Sequence, residues 1–175
     1  KTALVMAKLV SELCEAAKCG HTSQLRALLA DATVQDINSG QHSPHGFTPL
    51  HYAAWNGMGV SSGLLMDAKG NVDGCDAYGR TPLHLAARMG HSAVVTLLAQ
   101  ANAEINTRQQ LGATPLHYAA MEGHAGTCQK LVKLGADVTF LNDAGSSPLA
   151  LAEAKDHDKA ITYLKHAAKK KESQR

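Results

Sequence analysis

The heptapeptide TPLHYAA at Thr48 comes back as TPLHLAA at Thr81 and TPLHYAA at Thr114, then more loosely as SPLALAE at Ser147. Each copy starts 33 residues after the one before it. A constant stride of this size restricts the fold more than any composition can. It means one supersecondary unit stacked on copies of itself, each too small to bury its apolar face alone.

The residues inside the stride say what the unit is. A threonine followed by proline suits a helix start, with the hydroxyl at the cap and the proline at the first helical position, where a missing N–H costs nothing. Leu50, Ala53 and Ala54 then recur at helical spacing. The alanines let neighbouring helices approach closely. After Gly90-His91 a second helix is predicted over Ser92 to Gln100. It ends at Asn102, where the next copy has Gly135, and both residue types tolerate the left-handed conformation that closes a helix.

The 33-residue period and the T-P-L-H-x-A block resemble those of ankyrin-repeat proteins. The resemblance runs from about Leu9 to Leu164. It implies an all-α solenoid of helix-turn-helix pairs joined by β-hairpin loops, with five repeats including the caps. An N-terminal capping repeat is expected over 1–42, its first helix lengthened by Met6, Leu9, Val10, Leu13 and Ala17 and its loop by four residues. Full repeats follow at 43–75, 76–108 and 109–141, then a C-terminal cap at 142–170 with Asp156 in place of the usual glycine. Residues 171–175 are expected as a basic flexible tail, and Lys169 to Lys171 as a solvated charge run. Contact with an acidic partner and a localisation signal are the rival readings of those lysines.

One repeat is predicted to be weak. Ser61 and Ser62 stand where the next repeat has Val94 and Val95, with Gly59 and Gly63 beside them. Each interior glycine costs roughly 0.5–1 kcal/mol against alanine. The helix from Met58 to Met66 should therefore be the least stable of the array.

The repeat also accounts for most of the ten histidines. His51, His84 and His117 fill the fourth place of the block; His21, His91, His124 and His157 follow the glycine or Asp156. The resemblance implies structural roles, the first set bonding across to neighbouring loops. His42 and His45 in the long loop are left over, and two histidines fall short of the three or four ligands of a zinc site. No glycine-rich phosphate loop, nucleophile elbow or triad is evident. Neither a cofactor, a metal nor a catalytic residue is expected.

Composition narrows the class further. A net charge of +2 gives no basic footprint for nucleic acid. Four scattered cysteines with no C-x-x-C pair favour reduced thiols and the cytoplasm, with the nucleus second. No run approaches the roughly 20 apolar residues that span a bilayer.

In the ankyrin family, the two residues after Ala-Ala and the hairpin residues before Thr-Pro line a concave groove that varies with the partner. Here the former are Trp55-Asn56, Arg88-Met89 and Met121-Glu122, with Lys18-Cys19 in the cap. The hairpins add His45, Phe47, Tyr78, Arg80, Leu111 and Asp143. Three of the chain's seven aromatics fall in this set, joined by residue types that dominate binding hot spots. Trp55 and Phe47 are expected to be presented rather than buried. The rival arrangement folds Trp55 over the Phe47 loop as a seal. Tyr52 and Tyr118 are expected in core or inter-repeat packing. Asn106 is similar to a site hydroxylated by an asparaginyl hydroxylase in some ankyrin proteins.

These features predict a non-enzymatic, monomeric protein-interaction module. Its partner would be a peptide segment or domain carrying carboxylate or phosphate beside an apolar anchor, which the arginine fork matches. Two rivals remain: the targeting or regulatory array of a larger enzyme or channel, and a small phosphorylated ligand on the aromatic–arginine patch.

Overall fold

Eleven helices follow one another in a computed structural model that describes residues 3–40 and 43–173. Helices α1 (Ala3–Cys19) and α2 (Thr22–Asp31) form the first pair, and a short α3 (Val34–Ile37) lies in the long loop. Then come α4 (Pro49–Trp55) with α5 (Gly59–Asp67), α6 (Pro82–Arg88) with α7 (Ser92–Gln100), α8 (Pro115–Met121) with α9 (Ala125–Lys133), and α10 (Pro148–Glu153) with α11 (Asp158–Glu172). Each inner helix packs on the next inner helix and on its own outer helix; the outer helices form a second row. The Ala-Ala pairs, from Ala53-Ala54 to Ala119-Ala120, are fully buried between inner helices. Small side chains at that seam set the close stacking on which the array depends.

The Thr-Pro-Leu-His block works as a local and a long-range device at once. The N–H of Thr48, Thr81 and Thr114 donates to Nδ1 of His51, His84 and His117 at 3.1–3.2 Å. Nδ1 is thereby the acceptor, so the ring hydrogen sits on Nε2. That Nε2 donates to the carbonyl of Arg80, Ala113 or Ser146 at 3.0–3.1 Å in the next hairpin. Burial holds the His84 ring down to about pKa 4 and lowers His51 and His117 in the same direction. The second histidine set forms a parallel ladder: Nε2 of His91, His124 and His157 donates to the carbonyls of Trp55, Arg88 and Met121, each at 3.0 Å. Those are orphan carbonyls at helix ends, satisfied from the neighbouring repeat. The glycines beneath the rings cannot change: a Cβ on Gly57 or Gly90, both with positive φ, would sit 2.7–2.8 Å from an imidazole nitrogen.

Consecutive hairpins are stitched edge to edge. Ala77 N–H donates to His45, Gln110 N–H to Tyr78 and Asp143 N–H to Leu111. Within each hairpin, a backbone bond such as Asp76 N–H to Arg80 C=O closes the turn. The expected hairpin loops are thus present, though no strand is assigned among the described residues. Asn102 takes φ +64° and Gly135 +97°, as their helix-ending place requires.

At the C-terminus, α11 continues through Lys169, Lys170 and Lys171 to Glu172, so the expected tail begins as helix. Lys171 is anchored, with Nζ on Asp137 and on Thr139 Oγ1. Burial alone would raise the Asp137 pKa, but bonds from Lys171 and Thr139 and the lysine charge outweigh it and lower it to about 2. Asn106 is also committed structurally: its Nδ2 donates to Gly135 C=O at 3.1 Å and its Oδ1 accepts from Asp137 N–H at 2.9 Å. No helix of the described residues is long and apolar enough to cross a membrane.

Candidate functional site

A cavity of about 470 Å³ opens where the hairpins of two repeats meet the ends of three inner helices. Its contents begin with Phe47. This residue immediately precedes the Thr48 cap, and Tyr52 is the fourth residue of α4. A hydrophobic residue before the cap tends to close on that fourth position, and here the rings meet edge to face with centroids 5.2 Å apart. Phe47 also stacks on His51 at 5.5 Å. It is therefore only 7% exposed and forms the floor of the cavity, contrary to the expectation that it is presented. Its position next to the cap and the tyrosine five places on were the signal that could have shown this.

Trp55 lies between the two expected arrangements. It is half-buried, with Phe47 at 6.2 Å and the Arg88 guanidinium carbon 5.7 Å from its ring centroid. The indole is a wall, neither sunk in the core nor projecting into water.

The two arginines differ. Arg80 has a side chain only 12% exposed, and its Nε donates to Asp76 Oδ2 at 2.6 Å. Asp76 is buried and also accepts the N–H groups of Tyr78 and Arg80 through Oδ1. With the guanidinium 4.8 Å from the Tyr78 ring and 5.5 Å from Phe47, Arg80 braces the hairpin from within. It is not the outward reaching fork that the sequence suggested. Arg88 is freer. Its Nε donates to Glu122 Oε1 at 3.2 Å across a repeat boundary, and both side chains stay partly exposed. Tyr118 flanks it at 5.8 Å while standing edge-on to His84. Tyr118 thus does pack between repeats, but it also supports the site.

The structure gathers Phe47, Trp55, Asn56, Tyr78, Arg80 and Arg88 around one cavity with the expected Lys18 and His45, and adds Tyr52. Tyr52, expected in core or inter-repeat packing, is half-buried, with its hydroxyl donating to Ser43 Oγ at 3.2 Å. The Asn56 amide is spent on the Tyr52 carbonyl at 2.9 Å. Met89, Leu111, Met121 and Glu122 do not line the cavity. Of these, Leu111 is 70% and Met89 39% exposed, Met121 is half-buried, and Glu122 enters only through Arg88. Asp143 pairs with Arg108 at 3.1 Å. His45 lies 5.8–6.0 Å from the Phe47 and Tyr78 rings; His42 lies outside the described residues. No group of three metal-ligating side chains occurs among the described residues.

Stacked helix pairs, a histidine ladder that fixes the frame and variable side chains displayed beside it define a helical repeat protein. The family model described as ankyrin repeats, in three copies, matches residues 13–109 and 101–174. The chain belongs to the ankyrin-repeat family, whose members are generally protein-interaction modules and typically non-catalytic. No curated protein matches it closely enough to lend it a more particular role.

Proposed function

We propose that this chain is a protein-interaction module that holds a segment of its partner against the cavity walled by Trp55 and Arg88. The observation that carries the reading is that this one cavity collects aromatic faces and cations while Tyr78, 48% exposed, stands at its edge. Aromatic and arginine side chains contribute most where they are truncated from an interface, at least about 2 kcal/mol each at hot spots. A frame already held by two ladders meets a partner with little reorganisation to offset. Met89 and Leu111 extend the apolar contact beyond the cavity, and Met121 and Glu122 border it. In this reading the chain acts as a monomeric cytoplasmic adaptor and catalyses nothing itself.

The test is partner capture by the wild type and by a Trp55→Ala/Arg88→Ala double variant whose helical content is first checked by circular dichroism. Capture should fall by more than about tenfold. Equal capture by a folded double variant would remove the site.

A further inference from the structure

The cations around the cavity each face an acid of the same chain. Lys18 pairs with Glu15 at 3.5 Å, Arg80 with Asp76 and Arg88 with Glu122. None of the three acids lines the cavity; the cations do. The aromatic faces that could cradle a positive ligand are already taken by guanidinium groups, Trp55 by Arg88 and both Phe47 and Tyr78 by Arg80. A cationic side chain would meet like charge at Trp55, Phe47 and Tyr78. An anion meets the opposite sign.

The three pairs are not equally exchangeable. Asp76 is buried and holds two backbone N–H groups as well as Arg80. Lys18 and Glu15 lie three residues apart on one exposed helix face, within a single repeat. The Arg88–Glu122 pair alone joins two repeats at the cavity's edge, and both members are partly open to water. Arg88 itself is held in place: its carbonyl accepts from His124, and its guanidinium rests by Trp55 and Tyr118. Its position is fixed while the carboxylate of its counter-ion, at the C-cap of α8, is held among the described residues through Oε1 alone.

We propose that Arg88 receives a carboxylate from an acidic peptide segment, one that places Asp or Glu beside a large apolar residue, and that Glu122 holds that place until the partner arrives. This rests on the cavity being the partner site. The apolar residue enters over Phe47 between Trp55 and Tyr78, and the incoming carboxylate exchanges for Glu122. A carboxylate fits better than a phosphate because Glu15, Asp76 and Glu122 already offset the local cations. A one-for-one exchange keeps the balance, whereas a dianion overloads it.

The test selects binders from a library of random short linear peptides on the immobilised full chain, then measures the affinity of the selected peptides. Selected peptides should carry an acidic residue adjacent to Trp, Phe, Leu or Met. Arg88→Gln should weaken them at least about tenfold. Glu122→Gln should tighten them about two- to fivefold, because a partly exposed ion pair competes only weakly. Raising salt should weaken the wild-type complex. Replacing the peptide's acid with Asn should lose binding, and replacing it with phosphoserine should gain none. Peptides that are neutral or basic, that prefer phosphoserine, or that bind Glu122→Gln no better would overturn the carboxylate exchange while leaving the cavity as a binding site. Failure to enrich any peptide, or peptides indifferent to Trp55→Ala, would overturn both readings.

Discussion

The second and third repeats share their inner helices almost residue for residue and differ in the outer ones. In α7, Val94 and Val95 fill the space between helices, and His91 heads the helix with its ring on the Trp55 carbonyl. In α5 the same places hold Ser61 and Ser62, both buried. Ser62 Oγ turns back to its own helix at Met58 C=O, 2.9 Å away, while Ser61 Oγ has no partner among the described residues. Met58 replaces the histidine and presents its sulfur towards Gly20 rather than a hydrogen bond. A Cβ on Gly63 would meet nothing within 4 Å. The repeat that supplies Trp55 therefore stands on the less filled outer helix. Identical inner blocks carry the stacking, and the outer helix decides how firmly each block is backed.

Acid should act on what the two repeats share, and with the largest effect. His84 titrates near 4 when folded against 6.5 when free, so between those values the unfolded chain binds more protons and stability rises with pH. The contribution is complete above pH 6.5 and is lost as pH falls towards about 4, a loss of about 3 kcal/mol for this ring. His51 and His117 add in the same direction. Urea titrations across this window should show it. If both repeats weaken together, the capping histidines are the common part; a flat profile would mean the rings are not held neutral by the fold.

Substituting one repeat with the other's residues comes next. Val95→Ser, which copies Ser62 into α7, should cost about 2–3 kcal/mol through lost packing and a buried hydroxyl. In the opposite direction, Ser61→Val, which copies Val94 into α5, removes an unsatisfied buried oxygen and should stabilise by about 1–2 kcal/mol. Chemical denaturation reads both, and destabilisation by Ser61→Val would mean that α5 has no room and the contrast is misjudged. Smallest is Gly63→Ala, expected to stabilise by roughly 0.5–1 kcal/mol because the helix gains propensity and the methyl meets open space.

Much of this was legible in the sequence because the repeat is a rule about backbone. A threonine before proline sets a cap, and Asn102 or Gly135 sets a helix end, whatever surrounds them. The site was legible only as positions. Trp55, Tyr78 and Arg88 do gather round one cavity, but Phe47 and Arg80 turn inward. Both inward turns are local events: a ring closing on the fourth helical residue, and a guanidinium folding onto Asp76 four residues earlier. The Arg88–Glu122 pair spans 34 residues, and no spacing rule announces it, because it depends on how far two side chains lean across a repeat boundary. The length of α11 was missed for a similar reason, since Asp137 on the preceding repeat holds Lys171.

Native-state hydrogen exchange compares α5 and α7 within one molecule and so tests the central contrast most directly. Amides in the interior of α5 should exchange at least about tenfold faster than their counterparts in α7, which corresponds to about 1.4 kcal/mol of easier local opening. Equal or slower exchange in α5 would contradict the account, because the serines, the bare glycine and the missing imidazole would then cost the second repeat nothing.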